Sequence, residues 1–225
     1  MSMNIVEEFL KLVGINSPSG AERELASYLK ERLKQLGAEV YEDGSAEKTG
    51  SNTGNLLARY PGKVAKPTIL LAAHMDTVAP TEGLMPEIRD GVIYSEGNSI
   101  LGADDKAGIA VILGVLQNLR DNPDLQYGPV EILFTVQEEV GLKGVKNLAY
   151  PLQADYGYVL DGDGPAGTIV NASPSHITLD IVVEGKAAHA GLAPEMGINA
   201  IVVASEAIAG VRSGRLDEET TSNFG

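Results

Sequence analysis

The sequence predicts an α/β fold in which a layered, mostly parallel sheet is flanked by helices. Short apolar runs bounded by proline, glycine or polar residues predict buried strands, most clearly at residues 68–72 and 129–136. Longer segments with apolar residues at helical spacing alternate with these runs, which is the pattern of layered α/β domains. Titratable residues follow the ends of several predicted strands, where such sheets form their clefts.

The composition allows a sizeable core and argues against some partners. The chain has 225 residues, 44% of them hydrophobic, which is enough for one large domain or two smaller ones. A net charge of −14 argues against nucleic acid or an anionic membrane as partner and fits a protein that gathers carboxylates around cations. Without cysteine there is no disulfide or thiolate metal site. With no signal peptide and no bilayer-spanning apolar run, we expect a soluble, cytoplasmic protein.

Two helices are predicted within residues 4–36. The four residues from Ser19 to Glu22 match a capping box, in which the hydroxyl and the carboxylate satisfy amides of the first helical turn. Leucines then recur at helical spacing, and Gly37 follows as a natural stop. The pattern assigns this second helix to packing rather than to chemistry.

The middle of the chain alternates between strands and helices. Strands are predicted at residues 38–41, 55–60, 92–94, 129–136 and 156–160, and the central strand begins at residue 68. An apolar helix is predicted from the segment 101–108 to about Leu119, and a short helix near Gly144. From about residue 173 the character changes, with an alternating strand pattern at 177–183 and an alanine-rich helix at 199–211. We therefore expect one domain over residues 1–172 and the first part of a second, α+β domain over 173–225.

Candidate ligands for a metal lie at the ends of these elements. His74 and Asp76 end the central strand and, being two residues apart, point to the same face. Asp104 and Asp105 begin a helix; one of them can cap exposed amides, which leaves the other free to face a site. The whole candidate set consists of His74, Asp76, Asp104, Glu138, Glu139 and Asp161. Each motif alone has an ordinary structural explanation, but their joint occurrence at strand and helix ends indicates a site.

Imidazole with hard carboxylate oxygens suits zinc, with cobalt or manganese as alternatives. Two such cations need a bridging carboxylate and can hold a hydroxide that attacks a polarised carbonyl. A further carboxylate must stay uncoordinated to carry the proton to the leaving amine. Adjacent Glu138 and Glu139 could divide these duties, one binding metal and the other acting as base.

The motifs also carry a family resemblance. In chain order they are His74-Met-Asp76, Gly102-Ala-Asp104-Asp105-Lys106-Ala-Gly108, Glu138-Glu139-Val-Gly141 and Asp161-Gly. This set resembles the motifs of the co-catalytic zinc aminoacylase/carboxypeptidase family of metallopeptidases and, within it, those of the peptidase-T-like tripeptidases. The similarity covers essentially the whole chain, including residues 214–221.

The resemblance implies two Zn²⁺ ions and a role for each residue. Asp104 would bridge the metals, with a cis peptide bond to Asp105. His74 and Asp161 would complete the coordination of one zinc ion, and Glu139 would bind the other. The three remaining roles would fall to Glu138 as general base, Asp76 as support of the His74 ring, and His189 as a lid histidine that stabilises the oxyanion.

The activity so implied is removal of the N-terminal residue of a short peptide, most simply a tripeptide. Residues 1–172 would form the catalytic domain and residues 173–225 the start of an inserted lid, through which the protein could form a homodimer. Two alternatives stay open: deacylation of N-acyl amino acids by the same apparatus, and a non-catalytic peptide-binding protein on a degenerate peptidase fold.

In one respect the chain departs from the family pattern. The last metal ligand of the family is a histidine near the end of the catalytic domain, which resumes after the lid. In this sequence no histidine follows His189. We therefore expect an N-terminal fragment of a longer peptidase that lacks one zinc ligand.

Overall fold

The computed structural model describes residues 4–224. Its helices are α1 (Ile5–Val13), α2 (Arg23–Leu36), α3 (Ala46–Thr49), α4 (Ala103–Asp121), α5 (Lys143–Lys146) and α6 (Ala200–Ala209), with a 3₁₀ turn at Pro194–Met196. Its strands are β1 (Glu39–Glu42), β2 (Leu56–Tyr60), β3 (Ile69–His74), β4 (Met85–Arg89), β5 (Val92–Glu96), β6 (Val130–Thr135), β7 (Tyr156–Val159), β8 (Gly214–Arg215) and β9 (Thr221–Ser222).

A five-stranded sheet in the order β1-β2-β6-β3-β7 forms the centre of the first part of the chain. Strands β6, β3 and β7 are mutually parallel; β2 is antiparallel to β6, and β1 is antiparallel to β2. Four of the five strands therefore run in one direction, because β1 shares the direction of β6. The predicted α/β fold with a mostly parallel sheet and flanking helices is confirmed.

The register of the parallel strands brings their carboxyl ends level. His74 pairs with Thr135 of β6, and Ala72 pairs with Val159 of β7. Asp161 follows Val159 at the same distance along the chain as His74 follows Ala72. The residues that follow β3, β6 and β7 consequently emerge at a single edge of the sheet.

Helices α1, α2 and α4 supply the core that supports this edge. The leucines of α2 recur at helical spacing and are almost completely buried, and Ile109, Ile112 and Leu116 do the same for α4. Gly37 ends α2 in the left-handed conformation with φ +98°, where a residue without a side chain is favoured. The predicted helix stop is confirmed.

The predicted capping box at residues 19–22 was wrong. Helix α2 begins only at Arg23, and its cap residue, Glu22, makes no side-chain capping bond. The Ser19 hydroxyl instead donates to Asp76, 2.6 Å away, and the Glu22 carboxyl accepts from the Gln137 N–H at 3.1 Å. Glu22 keeps one local bond, from the Gly20 N–H at 2.9 Å, but both side chains also find partners distant in sequence.

The chain divides into two compact units, residues 1–166 and 167–225. In the second unit, α6 confirms the predicted helix, and the Asn199 side chain caps it by accepting from the N–H groups of Ile201 and Val202. The strand predicted at residues 177–183 is absent from the described structure, because an alternating pattern defines a face whereas a strand needs a neighbour to pair with. The assignment of residues 1–172 and 173–225 to catalytic and lid domains stays a prediction.

Among the described residues, no helix combines the length and the apolar character that crossing a membrane requires.

Candidate metal centre

His74 is the last residue of β3 and is almost fully buried, with 2% of its surface exposed. Its Nδ1 lies 2.7 Å from the backbone oxygen of Asp76, and its Nε2 lies 2.9 Å from Oδ1 of Asp104. A carbonyl oxygen can only accept a hydrogen bond, so Nδ1 carries the proton. In the neutral ring, the lone pair of Nε2 therefore points at the acidic residues, which is the arrangement of a metal-binding histidine.

Asp76 is completely buried and contacts more than the histidine. Its Oδ1 accepts from the Glu138 N–H at 2.8 Å and lies 3.4 Å from Nδ1 of His74. Its Oδ2 accepts from the Ser19 hydroxyl and, at 3.2 Å, from the Glu139 N–H. Burial alone would raise the pKa of Asp76, but hydrogen bonds from His74, Ser19 and Glu138 outweigh it and hold the pKa low. Asp76 thus ties the end of β3 to the turn after β6.

Asp104 and Asp105 face the site in different ways. Asp104 is exposed and turns its carboxylate to His74. Asp105 is buried, and its side chain accepts from the Gly108 N–H at 3.2 Å and the His74 N–H at 3.3 Å. Asp105 therefore bonds one amide of the helix start and one of β3, while Asp104 turns its carboxylate to the site, as the sequence indicated for one of the pair. The peptide bond between them is cis, as the resemblance implied.

Gly108 allows α4 to approach the end of β7. A Cβ atom at this position would lie 2.4 Å from Oδ1 of Asp105 and 2.8 Å from the backbone oxygen of Leu160. Both distances are far below van der Waals contact, so any larger residue would push the helix start away from the strand end that leads to Asp161. The glycine of this motif is required by packing.

Two groups of three side chains in the described structure could each hold a metal ion. One consists of His74, Asp104 and Glu139, and the other of His74, Asp105 and Asp161; within each group the ligand atoms lie within 4.8 Å of one another. The four ligands predicted from the sequence are all members of these groups. Asp105 is an additional member that sequence reasoning did not assign.

Electrostatics at this edge favour a bound cation. Burial lowers the pKa of His74, but Asp76 and Asp104 outweigh it and raise the pKa to about 10. Burial, with Asp161 nearby, raises the pKa of Asp105 to about 7. The pKa values of Glu138, Glu139 and Asp161 are also raised, by burial and by neighbouring carboxyl groups. Carboxyl groups crowded in this way repel one another when ionised and therefore keep their protons, and a divalent cation would offset that repulsion.

Glu138 and Glu139 are half-buried in the turn after β6. Glu139 belongs to one of the two candidate metal groups, whereas Glu138 belongs to neither. His189 lies in the second unit, where it is exposed and its Nδ1 accepts from the Gly191 N–H at 3.2 Å. Its role as a lid histidine stays a prediction.

Comparison with known proteins adds a family match. The sequence model of the family described as peptidase family M20/M25/M40 matches residues 70–224 of this chain. Among curated relatives, an uncharacterized protein YqjE from Bacillus subtilis is 42% identical over 98% of this chain and 60% of its own length. Peptidase T from Clostridium botulinum is 28% identical over 96% of this chain and 62% of its own length. The chain thus spans about 60% of the length of the curated relatives it matches.

Two solved structures resemble this fold. Aminopeptidase PepT from Bacillus cereus is 41% identical, with a TM-score of 0.81 over 98% of this chain and 60% of its own. A tripeptidase from Staphylococcus aureus is 36% identical, with a TM-score of 0.86 over 100% of this chain and 61% of its own.

Proposed function

The chain belongs to peptidase family M20/M25/M40, and from this membership we propose that the whole protein is a metal-dependent peptidase that removes the N-terminal residue of short peptides. The names of the relatives, aminopeptidase PepT, tripeptidase and peptidase T, support a short peptide with a free amine as substrate. The cluster of candidate metal ligands at the sheet edge supports a metal-assisted hydrolytic reaction.

The donor set fits two divalent cations. Following the motif resemblance, His74 and Asp161 would hold one ion and Glu139 the other, with Asp104 shared by both. The two side-chain groups at this edge have His74 in common, with Asp104 and Glu139 in one group and Asp105 and Asp161 in the other. One imidazole with several carboxylates suits Zn²⁺, and Co²⁺ or Mn²⁺ accept the same donors. When bound, such ions supply a Lewis acid that polarises the scissile carbonyl and acidifies water.

Glu138 is the proposed general base, which takes a proton from the attacking water and delivers it to the leaving amine. One observation carries this assignment: Glu138 lies outside both metal groups while its neighbour Glu139 lies inside one. The pKa of Glu138 is raised, by burial and by Asp161, which brings it closer to neutral pH.

Supporting roles fall to two further residues. Asp76 accepts from the Glu138 N–H and lies against the His74 ring, so it would hold base and ligand in fixed relative positions. The role of His189 in stabilising the oxyanion rests on its sequence motif and is proposed for the whole protein. Dimerisation through the second unit and a cytoplasmic location remain predictions, the first open to sedimentation analysis.

The test combines metal content with substrate choice. We expect elemental analysis of the whole protein, after dialysis against trace zinc, to give two zinc ions per chain. The same preparation should hydrolyse trialanine and leave N-acetyl-trialanine intact. Faster cleavage of the acylated peptide would favour a deacylase, and bound metal without turnover of either substrate would favour a non-catalytic peptide-binding protein.

A further inference from the structure

The segment of residues 15–22, between α1 and α2, contacts three of the segments that carry the metal centre. We call it the bracing segment. Near its start, the buried Lys106 at the beginning of α4 donates through Nζ to the backbone oxygen of Ile15 at 2.6 Å. The Ser17 hydroxyl donates to the backbone oxygen of Met75 at 2.9 Å, and the Thr77 N–H donates to the backbone oxygen of Ser17 at 3.0 Å. These bonds join it to α4 and to the end of β3.

The last residue of the bracing segment, Glu22, reaches the turn after β6. It is completely buried, although burying a carboxyl group costs stability unless its oxygens are bonded. Oε1 accepts from the N–H groups of Gly20 at 2.9 Å and Gln137 at 3.1 Å, and Oε2 accepts from the Ser51 hydroxyl at 2.6 Å. All three of these donors are uncharged, so the group acts here as a hydrogen-bond acceptor rather than as half of an ion pair.

The contact with Gln137 completes a series. Three consecutive N–H groups, those of Gln137, Glu138 and Glu139, each donate to a buried carboxyl group. Glu22 takes the first, and Asp76 takes the second and third. Gln137 has a left-handed backbone with φ +51°, which is uncommon for a residue with a side chain. The turn therefore needs hydrogen-bond acceptors in fixed positions to hold this backbone conformation.

We propose that Glu22 is a positioning residue for the metal centre, and that its carboxyl group fixes the turn at Gln137 so that Glu139 meets the metal and Glu138 faces the substrate. The proposal deepens the function given above and rests on it for the roles of the two glutamates. Glu22 acts through the backbone of Gln137 and does not itself touch a metal or a substrate.

Three substitutions of Glu22 separate the effect of side-chain length from the effect of the carboxyl group itself. Glu22→Asp keeps the carboxyl group but is one methylene shorter, so it cannot span the gap to Gln137 and Ser51 together. Glu22→Gln keeps the length: its oxygen can accept from Gly20 and Gln137, while its amide donates to the Ser51 hydroxyl, which can also accept. Glu22→Ala removes all three side-chain hydrogen bonds. Positioning by hydrogen bonds predicts that Gln substitutes for Glu and that Asp does not.

Two readouts that do not depend on peptide hydrolysis test this in the whole protein. In calorimetric titration, the Zn²⁺ affinity of Glu22→Asp and Glu22→Ala should be about 10- to 100-fold weaker than that of the unsubstituted protein, which is the usual effect of losing a residue that orients a ligand. The affinity of Glu22→Gln should be close to that of the unsubstituted protein. Amide hydrogen exchange of the metal-free protein should be roughly fivefold to tenfold faster at residues 137–139 in the two weakened variants.

Glu8 provides a matched control. It is also buried, and it accepts from the Tyr28 hydroxyl at 2.6 Å and from Arg32, away from the turn. Glu8→Asp should lower the melting temperature and leave Zn²⁺ affinity and exchange at residues 137–139 unchanged. The proposal is overturned if Glu22→Asp and Glu22→Ala bind Zn²⁺ like the original chain, or if Glu22→Gln loses as much as Glu22→Ala. Neither result depends on whether the protein cleaves peptides, so a failure of the proposed activity stays separate.

Discussion

The turn at Glu138–Glu139 and the start of α4 at Asp104–Asp105 each present two adjacent acidic residues to the same centre, but they are held differently. In the turn, the backbone N–H groups donate to carboxyl groups brought from other segments, Asp76 and Glu22. At the start of α4, the acidic side chain itself is the acceptor: Asp105 accepts from the N–H of Gly108, three residues on, and from the N–H of His74 at the end of β3.

The two constructions have different weaknesses. The turn is held by hydrogen bonds over long sequence separations, so it should respond to substitutions at residues far away along the chain. The start of α4 is held by hydrogen bonds of Asp105 and Lys106 and also by close packing, since a Cβ on Gly108 would overlap both Asp105 and Leu160. It should therefore tolerate little change of volume.

The largest effect is expected within the turn, where adjacent residues should fail in different ways. Glu138→Ala should keep its metal and lose at least about 100-fold in the rate of tripeptide hydrolysis, since it removes the proton carrier. Glu139→Ala is the matched neighbour and should lose metal as well as rate. Elemental analysis alongside kinetics separates the two, and a mild rate effect in Glu138→Ala would refute its assignment as base.

The next largest effect is expected at the residue that supports the turn from β3. Asp76→Ala removes the acceptor for both glutamate N–H groups and should weaken Zn²⁺ binding about 10- to 100-fold by titration calorimetry. Asp155→Ala is the control, because Asp155 accepts from the Thr68 N–H at 2.9 Å next to the opposite end of β3. Equal losses in the two variants would mean that Asp76 acts only through general stability.

A moderate effect is expected from packing at the start of α4. Gly108→Ala should destabilise the protein by about 1–3 kcal/mol in chemical denaturation, the usual cost of forcing a methyl group into a filled space. Gly162, next to Asp161, is the matched control, since a Cβ there meets nothing within 4 Å. Gly162→Ala should be close to neutral, and an equally neutral Gly108→Ala would show that α4 can move away at little cost.

Much of the fold and part of the centre could be predicted from the sequence. Parallel strands end at a common edge, so once the apolar runs before His74, Glu138 and Asp161 are recognised as strands, the convergence of those residues follows. The helix at Asn199 was predictable because its cap and its periodicity are both local.

The rest depends on contacts that no local pattern contains. Ser19 and Glu22 fit a capping box by spacing, yet their bonds to Asp76 and Gln137 exist only once the sheet has formed. Asp105 was not assigned as a ligand because one carboxylate of the pair was expected to cap the exposed amides of the helix start, leaving only the other for the site. The backbone at Asp104 and Asp105 is not helical, which lets both carboxyl groups approach the same centre.

The smallest effect is a pH dependence of stability that separates the two acidic pairs. In the metal-free protein, burial raises the pKa of Asp105 from 3.8 to about 7. Between pH 3.8 and pH 7 the folded state therefore keeps a proton that the unfolded chain has released. Its contribution to stability is therefore full below pH 3.8 and lost as the pH rises through 7. His74, with its pKa raised from 6.5 to about 10, loses its contribution only above pH 6.5.

Between pH 4.5 and 6.5 the slope thus reports on the acidic groups, and Asp105, the more buried, should contribute more than Glu139. Melting of the metal-free protein should show stability falling with pH in this range, a fall that Asp105→Asn reduces more than Glu139→Gln. Saturating Zn²⁺ should remove most of the fall, because a bound cation keeps the carboxyl groups charged in the folded state as they are in the unfolded one. A larger change in Glu139→Gln would place the strongest crowding of charge in the turn rather than at the start of α4.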